Sequence, residues 1–308
     1  MSNQQHRRGF LRNAALAAAG AASGIGAGLV PNQSHAIEPI NRTGKPKFKF
    51  SLAGYSYRDL LSGNSPKMTL EEFITDCATM GLEGTELTSY YFPRKLTPEY
   101  LRKVKHHAFL LGLDISGTSV GNDFCQPDGE KLKAQIRLTK QWIDHAEIMG
   151  APVIRVFSGS RKGSQTEEEA RRVAVEAMEE CCDYAGQHGV HLALENHGGL
   201  TAQVDSMLEL IRAVKSPWFG VNFDSGNFGG ADPYGDLAKI APYTINTHIK
   251  VSMSVAGKRT QADYRRLAKI LTDAGYRGYV SLEYEEREDP RVACARETAK
   301  IREAFLAT

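Results

Sequence analysis

No Cys-x-x-Cys pair occurs in this chain, and Cys77, Cys125, Cys181, Cys182 and Cys294 follow no regular spacing. That argues against a disulfide framework and leaves the cysteines as small buried hydrophobes. Beyond residue 36 no run approaches the roughly 20 apolar residues needed to span a bilayer. An excess of one charge is lacking too, since 38 Lys and Arg face 36 Asp and Glu for a net charge of +2. Nothing in that balance suggests nucleic acid or an anionic membrane as partner. Gly20, Gly24, Gly26 and Gly28 mimic a dinucleotide loop, but no strand precedes them, so that match is discarded.

The first 36 residues read as an address. Arg7-Arg8-Gly9-Phe10-Leu11-Arg12 is a charged n-region, Asn13 to Val30 is rich in Ala and Gly, and Ser34-His35-Ala36 offers a cleavage site. Paired arginines followed by x-Phe-Leu resemble the twin-arginine signal that exports folded proteins across the bacterial inner membrane. The expectation is an exported, periplasmic or extracytoplasmic protein handled by the twin-arginine machinery, with a signal peptide at 1–36 and a linker at 37–46. Removing the leader, with its three arginines and no acid, takes the net charge from +2 to about −1. A domain over 47–308 remains, a usual size for one barrel.

A unit recurs along that domain: an amphipathic segment, a glycine, then a short apolar run. Gly81, Gly112, Gly150, Gly189 and Gly275 occupy the joins, where glycine ends a helix in the left-handed conformation. Thr69-Leu70-Glu71-Glu72 and Thr166-Glu167-Glu168-Glu169 read as capping boxes, and Thr97-Pro98-Glu99 as a helix start. The pattern predicts strands at 49–55, 82–87, 113–119, 153–157, 190–195, 219–224, 244–250 and 279–283. Helices are predicted at 69–80, 97–111, 131–149, 166–188, 203–214, 235–241, 260–274 and 290–306. Such alternation demands a parallel sheet. Eight repeats, and a bulky first turn at Tyr55-Ser56-Tyr57-Arg58, favour one closed (β/α)8 TIM barrel of the α/β class over an open sheet.

Four of these runs end in a residue that can bind a metal: Glu195, Asp224, His248 and Glu283. A parallel barrel gathers strand ends on one rim, where catalytic groups are built. Three carboxylates meeting an imidazole there would mostly repel unless a divalent cation held them. Oxygen ligands with one nitrogen suit Mn first, with Mg, Co or Zn as alternatives.

Leu194-Glu195-Asn196, Phe223-Asp224-Ser225-Gly226-Asn227, His248-Ile249-Lys250 and Gly278-Tyr279-Val280-Ser281-Leu282-Glu283 lie in an order and spacing that resemble the xylose isomerase-like barrels. That family includes sugar phosphate isomerases and epimerases, ketose 3-epimerases and inosose dehydratases. Gly84-Thr85-Glu86-Leu87 is also characteristic. The resemblance implies that Glu195, Asp224, His248 and Glu283 bind one divalent metal, and that Glu195 and Glu283 also move the substrate's proton. Two positions depart from the pattern: Asn227 stands where many members have histidine, and Val251 where many have aspartate. The first change bears on the ketose epimerase subtype.

The remaining pocket candidates are Glu86, His197, Asn227, Lys250 and Tyr55 for substrate binding. Arg155 would bind an anionic group or brace Glu195 or Glu86. Tyr55, Tyr57, Tyr90, Tyr91, Phe92 and Phe228 would stack on a sugar ring or cap the barrel. The expected activity is metal-dependent isomerisation or epimerisation of a keto or aldo sugar through a stabilised enediolate. A dehydratase or keto-glycoside lyase is the alternative on the same scaffold. A non-catalytic sugar-binding barrel and an apurinic endonuclease rank below both. The partner expected is a small-molecule carbohydrate, unphosphorylated if the protein is exported. A homo-oligomer is left open.

Overall fold

The computed structural model describes residues 37–63, 65–127 and 129–308, so the predicted signal peptide lies outside the described residues. Eight parallel strands close a barrel in the order β1-β10-β7-β6-β5-β4-β3-β2. They are β1 (Lys47–Ala53), β2 (Gly84–Thr88), β3 (Asp114–Ser119), β4 (Val153–Val156), β5 (His191–Glu195), β6 (Phe219–Asp224), β7 (Thr244–Ile249) and β10 (Arg277–Leu282). The two intervening strands, β8 (Ser252–Val255) and β9 (Lys258–Gln261), form a separate antiparallel hairpin. Nine helices are described: α1 (Arg58–Leu61), α2 (Leu70–Thr79), α3 (Pro98–Leu110), α4 (Glu130–Met149), α5 (Glu167–Gln187), α6 (Val204–Ala213), α7 (Pro233–Ile240), α8 (Tyr264–Asp273) and α9 (Pro290–Leu306).

Local chemistry sets these boundaries. Both predicted capping boxes form: the Thr69 and Thr166 side chains accept from the backbone N–H of Glu72 and Glu169, whose carboxylates reach back to the threonine N–H. The five joining glycines all take positive φ, and Gly150 at 77° ends α4 while its N–H donates to the carbonyls of Ala146 and Glu147. The cysteines are free and buried, as their spacing implied. Residues 37–46 carry no helix or strand, and the Ile40 N–H donates to the Pro242 carbonyl at 3.0 Å.

Two predicted boundaries shift in ways that matter for the site. The first strand ends at Ala53, and Gly54–Tyr57 turn into a 3-10 helix, so Tyr55 stands off the strand. The helix predicted from 260 begins at Tyr264, because 252–261 is the hairpin. Val251-Ser252-Met253-Ser254-Val255 alternates with period two, a strand signal, and Ala256-Gly257 turns the chain with positive φ at both residues. The hairpin stands on the rim where β10 ends: Ser252 Oγ donates to Glu286 Oε1 at 2.7 Å, and the Ala256 N–H donates to the Gly230 carbonyl.

The core lies in two places. Apolar side chains such as Leu52, Leu87, Ile154, Leu194, Val221 and Phe223 are buried in the layer between strands and helices. The barrel's own interior is more polar. Period two places Glu86, Glu195, Asn222, Asp224, Asn246, His248, Ser281 and Glu283 inward, all buried. Gly84 makes this packing feasible: a Cβ there would lie 2.5 Å from the Tyr279 ring, closer than carbon atoms can approach.

Candidate metal and active site

The rim that carries the candidate site is built by register. Asp224 pairs with His248 across β6 and β7, Glu195 lies beside Asn222 across β5 and β6, and Ser281 pairs with His248 across β7 and β10. The four ligand candidates therefore come together from four adjacent strands. Asn196 clamps the join: its Oδ1 accepts from the Asp224 N–H and its Nδ2 donates to the Asp224 carbonyl, each at 2.9 Å. These two hydrogen bonds hold the end of β6 to the residue that follows β5.

One ligand atom each from Glu195, Asp224 and His248 lie within 4.8 Å of one another. All three residues are buried, with exposures of 3%, 0% and 0%. The imidazole has a defined orientation. Its Nε2 is 2.7 Å from Glu86 Oε1, and its Nδ1 lies 3.4 Å from Glu195 Oε2 and 3.5 Å from Glu283 Oε2. Nδ1 is therefore the nitrogen that faces the cluster, while Glu86 fixes the ring from behind. Asp224 Oδ1 accepts from the Gly226 N–H, but Asp224 Oδ2 is buried without a hydrogen-bond donor. Its one charged partner is the Lys250 ammonium 3.4 Å away, which leaves a lone pair that a metal cation would fit.

Glu283 falls outside that tight trio. Lys250 draws it away: the ammonium ion-pairs with Glu283, lies 3.4 Å from Asp224 Oδ2 and reaches Glu285 Oε1 at 2.9 Å. Lys250 reaches in because Gly226 lacks a side chain, since a Cβ there would sit 2.6 Å from Lys250 Cγ. Arg155 does the bracing that was one of its two expected roles. Its Nε lies 3.1 Å from Glu195 Oε2, its Nη1 donates to the Val120 carbonyl, and its guanidinium covers the Phe157 ring at 3.9 Å.

Charge accounts for the titration behaviour. Burial alone would raise Glu195, but Arg155 and then His248 hold it below the ordinary carboxylate value. Burial also works against ionised Glu283, yet His248 and Lys250 bring it down to about 2. Asp224 goes the other way: burial pushes it up to about 7 against the pull of Lys250. Burial opposes the charged forms of His248 and Lys250, and the surrounding carboxylates raise both well above their usual values. Four buried carboxylates (Glu86, Glu195, Asp224, Glu283) thus face Arg155 and Lys250 with a neutral or protonated His248. Carboxylate oxygens joined by one imidazole nitrogen, all buried, are a donor set that fits a divalent ion.

The other expected site residues distribute unevenly. Asn227 is at the mouth, its Nδ2 donating to Glu195 Oε1 at 3.2 Å. Glu86, expected to line the substrate pocket, is set deeper instead. It is fully buried, and Ser119 Oγ, Asn246 Nδ2 and His248 Nε2 already occupy its oxygens. His197 is exposed, its ring 4.3 Å from that of Phe157, and it stays outside the trio. Tyr55 is half-buried beside a cavity of about 490 Å³ that Tyr90 and Tyr91 also line. Tyr57 and Phe228 are buried in the core rather than at the rim, and Phe92 packs edge-on against Trp142.

Two residues escaped the sequence reading. Asn222 donates to Glu195 Oε2 at 3.1 Å and lies 3.2 Å from His248 Nδ1, and its own oxygen accepts from Asn246 Nδ2 at 2.8 Å. Asn246 in turn donates to Glu86. Their signal was present: each asparagine interrupts an apolar run two positions before a ligand, hence on the same inward face.

The sequence profile of the xylose isomerase-like TIM barrel family matches residues 74–305, most of the domain. The chain belongs to that family. It is 24% identical over 213 residues to a 3-dehydroshikimate dehydratase of Bacillus anthracis, covering 66% of this chain and 71% of the relative. A D-psicose 3-epimerase from Clostridium cellulolyticum H10, solved with D-tagatose, superposes with a TM-score of 0.68 at 14% identity, over 83% of this chain and 99% of that one. A xylose isomerase-like barrel protein from Mycobacterium smegmatis, solved with magnesium, gives 0.68 at 18% identity, over 84% and 97%. At such identities the structural likeness speaks for the fold alone.

Glu86 behind the imidazole yields a test. Glu86→Gln should weaken divalent-metal binding about 10- to 100-fold, as loss of a carboxylate behind a metal-bound histidine does. Calorimetric titration with Mn2+ reads this directly, and unchanged affinity would mean Glu86 does not orient the ligand.

Proposed function

We propose that this protein is a divalent-metal-dependent sugar isomerase or epimerase that acts by proton transfer beside a carbonyl. The observation that carries the reading is the buried meeting of Glu195, Asp224 and His248, with Glu283 and Lys250 immediately beside them. Glu195, Asp224 and His248 would hold the metal, with Glu283 as the fourth ligand, and Mn2+ is the ion we favour. When bound, such an ion acts as a Lewis acid that polarises a carbonyl and stabilises the negative charge left by proton loss.

The chain's own residues supply the rest. Glu283, held ionised by its neighbours, is suited to take the proton from the carbon next to the carbonyl. Glu195, whose Oε2 lies 3.4 Å from the same His248 nitrogen, would exchange a proton on the opposite face in epimerisation; return to the adjacent carbon would give isomerisation. Lys250 is the natural donor to a substrate oxygen, and Asn227 offers an amide at the mouth next to Glu195. Tyr55 would contribute at the outer edge of the substrate pocket.

A second reading has its own support. The curated relative is named a dehydratase, and a probable 3-dehydroshikimate dehydratase from the same organism shares the fold at a TM-score of 0.63. Asn227, where many family members carry histidine, removes a possible substrate contact or acid–base group and so speaks against the ketose epimerase subtype. The same proton abstraction then ends in loss of a β-substituent as water or an aglycone.

Glu283→Gln should keep metal yet lower turnover at least about 100-fold, while the wild-type enzyme incorporates solvent deuterium next to the carbonyl. Near-normal activity in the metal-loaded variant would leave Glu283 a ligand only. Product mass separates the subtypes: an isomer of equal mass indicates isomerase or epimerase, and loss of water or an aglycone indicates lyase.

We further propose export through the twin-arginine route to the periplasm, which would bring the enzyme to free sugars and glycosides. The support is Arg7-Arg8 with the Ala- and Gly-rich stretch that follows. Replacing both arginines by lysine should keep the protein in the cytoplasmic fraction. Unchanged periplasmic recovery would contradict that route.

A further inference from the structure

A cation of the chain's own already stands among the carboxylates that the metal reading assigns to an ion. The Lys250 ammonium lies 3.4 Å from Asp224 Oδ2 and ion-pairs with Glu283 Oε2. Asp224 Oδ2 accepts no hydrogen bond, and Glu283 Oε2 is the oxygen 3.5 Å from His248 Nδ1. One ammonium thus holds an oxygen from each of two candidate ligands. The Lys250 side chain is only 7% exposed, so little water screens it. Two cations this close in a dry site repel strongly. Lys250 and a divalent ion therefore compete for the same two carboxylates.

The fold offers the ammonium a second station. Glu285, in the loop after β10, brings Oε1 to 2.9 Å from Lys250 Nζ, and its side chain is 44% exposed. Among the described residues Glu285 makes no other ion pair. Its neighbour Glu286 is engaged elsewhere, accepting from Ser252 Oγ at 2.7 Å and pairing with Arg259 of the hairpin. That fastens the loop and leaves Glu285 to Lys250.

Lys250 is held at its base and free at its tip. Its backbone N–H donates to Ser225 Oγ at 2.8 Å, and its Cβ and Cγ pass so close to Gly226 that a Cβ there would lie 3.1 and 2.6 Å from them. An ammonium on a flexible carbon stem can change carboxylate partners without any backbone shift.

We propose that Lys250 is an internal counterion that gives way to the metal, and that Glu285 is the positioning residue that receives it. In the metal-free chain the ammonium neutralises Asp224 and Glu283. When the ion binds, Lys250 releases both and pairs with Glu285, and Glu283 joins Glu195, Asp224 and His248. The inference rests on the metal-centred reading of the site and deepens it. A merely supporting Lys250 would have the opposite signature, since losing a support loosens the ligands and weakens metal binding.

Calorimetric titration of chelator-treated protein with Mn2+ reads the sign. Lys250→Met should tighten Mn2+ binding at least about tenfold, because the competing charge is gone. It should also lower the Tm of the metal-free chain, whose buried carboxylates then lack their counterion. Glu285→Gln, at a partly exposed position, should weaken Mn2+ binding about threefold or more, since the displaced ammonium loses its partner. In the Lys250→Met background the same substitution should leave affinity unchanged. Mn2+ binding to Lys250→Met that is unchanged or weaker would overturn the proposal and leave the metal reading intact. A Glu285→Gln effect of equal size in both backgrounds would overturn it too, because Glu285 would then act through its own charge. If Lys250→Met does not fold, Glu285→Gln decides alone, and unchanged affinity overturns the proposal. Binding of no Mn2+ by the wild type or by Lys250→Met would overturn both readings.

Discussion

Four carboxylates buried at one end of a barrel are the constraint on which the rest of this molecule depends. Taking each ionised group out of water costs several kcal/mol even after relaxation. Glu86, Glu195, Asp224 and Glu283 are all buried inside the strands. The interior answers it in specific ways. Arg155 braces Glu195, Lys250 bridges Asp224 and Glu283, and His248 lies among three of the four. Asn222, Asn246 and Ser119 supply neutral donors, so a continuous hydrogen-bonded chain runs from Glu195 through β6 and β7 to Glu86 on β2. Asp224 Oδ2 accepts no hydrogen bond in this scheme and has only the Lys250 ammonium, 3.4 Å away, as its charged partner.

The same constraint explains small residues that would otherwise look arbitrary. Gly226 lets the Lys250 stem pass, and Gly84 lets Tyr279 fill the barrel beneath the charged layer. In each case a methyl group would collide with a side chain that supports the site. The family's sequence signature is therefore partly a packing signature. Gly84-Thr85-Glu86 carries a glycine for the Tyr279 ring and a glutamate for the His248 ring, one register step apart on the inward face.

Much of the fold was legible because five of the eight barrel strands are short apolar runs that follow a helix-ending glycine, and four runs end in a residue that can bind a metal. Glu195, Asp224 and His248 could be read for that reason: a charged group at the close of a buried run is locally improbable. The partners of those groups were harder to read, because they are set by contacts across the barrel. Glu86 is 162 residues from His248 in sequence, and nothing local announces that its oxygen meets the ring nitrogen. Asn222 and Asn246 were absorbed into apolar runs, although their alternate spacing with Asp224 and His248 carried the information. The β8–β9 hairpin was missed because a strand-to-helix loop was expected there, and its period-two pattern was too short to compete. Tyr57 and Phe228 went wrong for a simpler reason: loop aromatics are read as exposed, yet both turn back into the core.

The account stands or falls on a divalent ion at the Glu195, Asp224 and His248 trio. The direct measurement is metal content and thermal stability of purified protein, before and after chelator treatment and with Mn2+ restored. The account predicts about one divalent ion per chain, lost from both Asp224→Ala and His248→Ala. At a thousandfold excess over Kd, restoring Mn2+ should add about 4 kcal/mol, a rise in Tm on the order of 10 °C. A chain that retains no ion and melts at the same temperature in chelator and in excess Mn2+ would contradict it.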